Sequence, residues 1–253
     1  MAPQQLVGAV FPAPSPYSAP PVAALADAIG RLEQIEAYAE THEPRGQHDG
    51  LACFSSVLHA VLCRVWEGVH IGTFDHPEFL AQLSVVLANR YLGALQANVV
   101  AASAVPDAWS ALFERRSDAH VTQLQFAAAG VNAQVNFDLP LAVVDTCARL
   151  GCSPGSAPVL AACHELTRIY AEEMRATRTR FEHRWERLIE PAVLARVTAK
   201  INDWTVIADR AIACEAAQRL WELRSQRQAE RAFVDRLDTI AAGLSRGVLI
   251  PVL

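Results

Sequence analysis

The sequence predicts an all-α protein, a single-domain multi-helix bundle with a Pro-rich N-terminal arm, and three observations carry that prediction. Apolar residues recur at three- and four-residue intervals through most of the chain, as helices with a buried stripe require. Capping signals flank those stretches. One segment, GVNAQVNFDLP at 130–140, alternates apolar and polar residues as a strand does, yet the chain offers it no second strand. A lone strand has nowhere to place its backbone hydrogen bonds, so a helix is predicted there too.

The elements follow in order. The arm at 1–21, MAPQQLVGAVFPAPSPYSAPP, carries six prolines and no basic residue, so it reads as extended chain and lacks the charged start of a signal peptide. The helical domain takes residues 22–253. Leu25, Ile29, Leu32 and Ile35 share one helical face, and THEPRGQHDG ends that helix. A second helix runs from Leu51 to about Gly68, with Phe54, Leu58, Val61, Leu62 and Val65 as its core stripe. In GTFDHPEF the expected N-cap is Asp75, with Pro77 in the first turn and Glu78 completing an Asp-x-x-Glu capping box. A long helix follows to about Val100, and VPDAWSALFER opens another. Residues 121–137 form a helix that ends before Pro140. From Pro158 to Arg246 the spacing is helical, with a break at Pro191 and an end near Gly243.

Composition narrows the function classes. A chain of 253 residues with 52% apolar residues can bury a large core. Its net charge of −5 argues against a nucleic-acid surface, which needs clustered positive charge. No run approaches the roughly 18 apolar residues of a membrane helix. Six cysteines without CxxC spacing read as reduced thiols packed as small apolar residues, which fits a cytoplasmic protein. A small-molecule substrate is the expected partner, with neither nucleic acid nor membrane, and the apolar tail GVLIPVL packs on the body or in a homo-oligomer interface.

The polar residues of 121–138 define the candidate site. At about 100° per residue, Gln125, Asn132 and Asn136 fall on one stripe, and Gln134 and Asp138 on another. Such a helix is either hydrogen-bonded to its neighbours or lines a wet cavity.

Two blocks, GTFDHPEFLAQLSVVLANRYLGAL (72–95) and VTQLQFAAAGVNAQVNFDLPLAVV (121–144), resemble an uncharacterised family of all-helical bacterial proteins, mostly actinobacterial, known as a domain of unknown function. The resemblance runs over roughly residues 50 to 220. The family's second block usually reads Asn-Ala-His-Ile-Asn-Leu-Asp-Leu. Asn132, Asn136 and Asp138 match it, while Gln134 stands where histidine is usual. In the first block Asp75, Pro77, Glu78, Asn89, Arg90 and Tyr91 match, and His76 replaces what is more often an acid. The resemblance implies an all-α fold and a shared polar centre; it implies no reaction.

The leading expectation is a cofactor-independent enzyme of acid/base type, a cyclase, isomerase or lyase acting on a largely apolar metabolite, in bacterial specialised metabolism. Asp138 in an apolar pocket is the acid or base, with Asn132, Asn136 and Tyr91 beside it in the catalytic set. Gln134, Gln125, Asn89, Arg90 and Asp75 are the expected substrate-binding residues. No Gly-x-Gly-x-x-Gly, P-loop, Gly-x-Ser-x-Gly or His-Glu-x-x-His motif calls for a cofactor.

Three alternatives stand beside it. A metal-dependent hydrolase or lyase would hold zinc or magnesium with His70, Asp75, His76 and Asp138, although Gln134 in place of histidine weighs against zinc. The Glu67-x-x-His70 spacing of di-iron bundles has no second copy. An isoprenoid-type cyclase would pair Asp75-x-x-Glu78 with NDWTVIAD at 202–209, both near misses of the acidic motifs. A non-catalytic ligand-binding or scaffolding protein would pair Asp138 with Arg90, which is expected to lower the Asp138 pKa, where a catalytic acid shows a raised one.

Overall fold

The computed structural model describes residues 15–101, 104–185 and 211–251, and among these residues there is no strand. The helices are α1 (Leu25–His42), α2 (Gly50–Ile71), α3 (Pro77–Val100), α4 (Asp107–Arg115), α5 (Gln123–Asn132), a π-helical segment (Ala133–Asp138), α6 (Leu139–Leu150), α7 (Ala157–Trp185), α8 (Ala211–Leu223) and α9 (Arg227–Val248). The fold is all-α, as the spacing predicts.

One continuous rod, α5 with the π segment and α6, runs through the centre. From Leu124 to Pro140 every residue except Asn136 is buried. α2, α4, α7 and α9 pack around α5, while α3, α8 and α9 close on the π segment. A helix enclosed on all sides has no solvated face to display, which is why its sequence lacks the usual amphipathic stripe. The strand-like alternation of 130–139 is therefore the signature of an encased helix with polar residues aimed at different neighbours.

Contrary to expectation, this helix does not stop before Pro140. Pro140 lacks an N–H, and in a regular α-helix its ring would press on the Asn136 carbonyl. The π turn bonds the Leu139 N–H to the Gln134 carbonyl, five residues back, and widens the helix just ahead of the proline. The rod then continues to a glycine stop at Gly151, φ +67°.

The expected stripes of α1 and α2 are buried, apart from Ile29, which is partly so. α2 comes very close to α5, because a Cβ on Gly130 would lie 2.3 Å from the Phe54 ring. By length and composition α2 is apolar enough to cross a membrane, contrary to the sequence expectation, although more than half of it is buried inside the bundle. Two further expectations are corrected. The N-cap of α3 is His76, with no side-chain cap bond, and Asp75 is exposed, so the Asp75/Glu78 capping box is not made. Gly243 does not end α9, which runs on to Val248.

The described part of the arm packs on the body: Tyr17 is buried in a short 3-10 turn at Pro16–Ser18. The tail does the same at Val248 and Leu249, which are buried, with Arg115 donating to the Leu249 carbonyl at 2.8 Å, while Ile250 and Pro251 are exposed. All six cysteines are free. Pro191 and the 202–209 motif lie outside the described residues.

Candidate functional site

Most polar side chains of the rod pin a neighbouring element. Gln125 accepts from the Thr122 N–H and hydroxyl, completing the capping box of α5, and donates to the Val248 and Ile250 carbonyls at 2.7 and 2.8 Å. Asn132, fully buried, donates to the Ala241 carbonyl and to Ser245 Oγ, both at 2.6 Å, which locks α9 in register. Asn136 donates to Asn132 Oδ1 at 2.8 Å. These bonds satisfy groups that would be costly to bury unpaired.

Asp138 differs from the others. Its Oδ1 accepts from Arg90 Nε at 3.0 Å, and its Oδ2 accepts from Trp109 Nε1 at 3.0 Å and from Gln134 Nε2 at 3.3 Å. An ionised carboxylate has about four acceptor positions, so Oδ1 keeps room for one more bond. Asp138 is 2% exposed, yet it lies at the floor of a groove of about 390 Å³ between α3 and α6. Arg90, Asp145 and Arg149 supply the charge on the groove walls, and Gly93, Ala94 and Ala97 supply a flat apolar side.

Burial raises the Asp138 pKa from 3.8 to about 6, and the charge of Asp238 adds to the rise; the Arg90 charge and the Trp109 hydrogen bond pull against it without cancelling it. The sequence expectation, that an Arg90 pair lowers this pKa, is thus reversed. Arg90 is shared, with Nη1 3.6 Å from Asp145, and one partly shared guanidinium does not replace the lost hydration of an enclosed carboxylate.

Beside Asp138 sit two unsatisfied groups. Gln134 Nε2 contacts two acceptors, Asp138 and the Leu87 carbonyl, which fixes the amide orientation and leaves Oε1 buried without a partner. The buried Tyr170 hydroxyl on α7 is also unpartnered, and the Asp138 charge reinforces the effect of burial in raising its pKa.

A model for a family of unknown function, DUF5995, matches residues 25–251. The chain belongs to this family. No curated protein and no solved structure matches the chain. The DUF5995 match spans every helix from α1 to α9, wider than the 50–220 resemblance, and takes in both walls of the groove.

Within this DUF5995 chain, the candidate residues part company. Asn89, Arg90 and Tyr91 are consecutive on α3 and therefore point to different sides. Asn89 lines the groove, but its amide is spent on the residue just after the arm, accepting from the Val22 N–H and donating to the Val22 carbonyl at 2.8 Å each. Tyr91 hydrogen-bonds Ser55 at 2.9 Å, away from Asp138, and only Arg90 of the three reaches the carboxylate. Asn132, Asn136, Gln134 and Gln125 do not line the groove.

The alternative metal ligands are not assembled. Asp75 and His76 precede α3, some 14 residues before Arg90, which is about 20 Å along a helix. His70 is exposed on α2, its Nδ1 2.7 Å from the Trp66 carbonyl. Among the described residues no group of three or more His, Cys, Asp or Glu is arranged to hold a metal. Sequence reasoning missed Trp109, Asp145 and Arg149. Asp138, Asp145 and Arg149 fall at i, i+7 and i+11, one helical face, so their shared wall was readable; Trp109 gave no such signal.

Proposed function

We propose that this protein is a cytosolic small-molecule enzyme that binds a largely apolar metabolite in the α3–α6 groove and moves a proton through Asp138 without a cofactor. The observation that supports it is a buried carboxylate at the floor of an open groove, with one acceptor position spare at Oδ1 and a pKa of about 6. Near neutral pH such a group exists in both protonation states, as a general acid or base requires. Arg90, Trp109 and Gln134 hold it in one orientation, so that a substrate proton meets a preset oxygen. Cyclisation, isomerisation and elimination are the reaction classes such a residue serves.

The three donors on Asp138 also favour a second reading, ligand binding without turnover, in which the carboxylate only fixes Arg90 and α4. One experiment separates the two. Small-metabolite extract from cells carrying the gene is incubated with the protein in D2O and followed by mass spectrometry. The enzyme reading expects a metabolite to be converted or deuterated by the native protein and not by Asp138→Asn. Retention of a bound but unchanged metabolite by both proteins would instead establish the second reading.

A further inference from the structure

We propose that the α3–α6 groove recognises a small zwitterion, an ammonium and a carboxylate on neighbouring carbons with a short aliphatic side chain, as in an aliphatic α-amino acid. The proposal rests on the groove being the binding site, as argued above, and narrows the metabolite to one whose apolar chain carries a zwitterionic head.

Charge on the walls is balanced and only partly spent, since Arg90 is shared between Asp138 and Asp145. Asp145 and Arg149 stand at i and i+4 on α6, with the acid N-terminal, the favourable order for an ion pair. They do not pair. Asp145 instead leans toward Arg90, at 3.6 Å from Nη1, and no hydrogen bond or ion pair joins Arg149 to any described residue. The groove therefore presents one open guanidinium and one half-exposed carboxylate side by side. A ligand carrying a single charge would engage one of the two and leave the other as it is: Arg149 unpaired, or Asp145 with only a long contact to an Arg90 already held by Asp138. A zwitterion satisfies both: its carboxylate meets the planar fork of Arg149, and its ammonium meets Asp145. Overall charge in the groove is then unchanged by binding.

The apolar part of the ligand has a place as well. Gly93 has open space where a side chain would project, with no atom within 4 Å of an added Cβ. Ala94 and Ala97 on α3 and Pro106 before α4 continue the same wall. That strip offers no hydrogen-bond donor from its side chains, so a polar side chain on the ligand would lose its hydration for nothing, whereas an aliphatic one would not.

Three probes that share one carbon skeleton test the proposal: leucine, 4-methylpentanoate, which lacks the ammonium, and isopentylamine, which lacks the carboxylate. The readout is the indole N–H resonance of Trp109, whose proton is donated to Asp138 at the groove floor. Leucine is expected to shift it saturably and to bind about tenfold or more tightly than either partner, the loss expected for one charged hydrogen bond. Arg149→Gln should bring leucine down to the level of isopentylamine, and Asp145→Asn should bring it down to 4-methylpentanoate. Both residues are exposed, so the variants keep the fold. Equal binding of leucine and either singly charged probe would overturn the zwitterion assignment, as would no response to any of the three. Neither result touches the acid/base reading, which stands or falls on the D2O experiment.

Discussion

At the scale of single residues, the polar positions of the rod look alike in sequence and differ in what they touch. The i,i+4 stripes were legible: Asn132 with Asn136, and Gln134 with Asp138, are both hydrogen-bonded pairs. Their roles were not legible, because a role depends on which helix faces each stripe. Asn132 meets the α9 backbone and is spent on structure, whereas Asp138 meets an arginine at a groove. The contest at Asp138 is between lost hydration and Arg90, and hydration decides it. Arg90→Gln should therefore push the Asp138 titration above about 6, and Gln134→Met, which removes a weaker donor, should push it up by less. Carboxyl-carbon NMR of the two variants checks both the direction and the order. Gln134→Met also removes the orphaned Oε1, so a loss of stability beyond about 1 kcal/mol, the worth of one hydrogen bond, would speak against that atom being unsatisfied.

At the scale of elements, α2, α3 and the start of α4 were readable from spacing and breakers to within a few residues, while the central rod was not. Its period-2 pattern suggested a strand, and Pro140 suggested a stop; burial on every side and a π turn account for both. No local rule announces a π turn, since it answers a proline clash and the demands of several packed neighbours at once. Close approach of α2 and α5 depends on Gly130. Gly130→Ala should cost about 1–3 kcal/mol by driving a methyl into the Phe54 ring, seen as a lowered urea midpoint. Asn132→Leu should act through a different element. It leaves the Ser245 hydroxyl without its Asn132 partner, so hydrogen exchange should rise first along α9, by about 1–3 kcal/mol, with α2 and α3 unchanged. Uniform loss of protection across the bundle would show that Asn132 is not an α9 pin.

At the scale of the molecule, the raised Asp138 pKa sets the sign of the pH dependence. The folded state binds this proton below about pH 6 and the unfolded chain only below about 3.8. Stability therefore rises as pH falls through that window, and from pH 7 to pH 5 the Asp138 contribution is about 1 kcal/mol. Asp49, Asp238 and Glu36, all raised by burial, act in the same direction. Urea unfolding should show the native protein more stable at pH 5 than at pH 7, with a good part of the gain absent in Asp138→Asn. Family membership covers residues 25–251 and is silent on chemistry, so the functional case returns to one group. The most direct test is the carboxyl-carbon titration of Asp138 in the native protein. A midpoint near pH 6 would show a proton held at the groove floor in the range where acid/base work is done. A midpoint at or below about pH 4, the range of ordinary carboxylates, would show the carboxylate fixed as an anion by Arg90 and Trp109 and would contradict its proposed role.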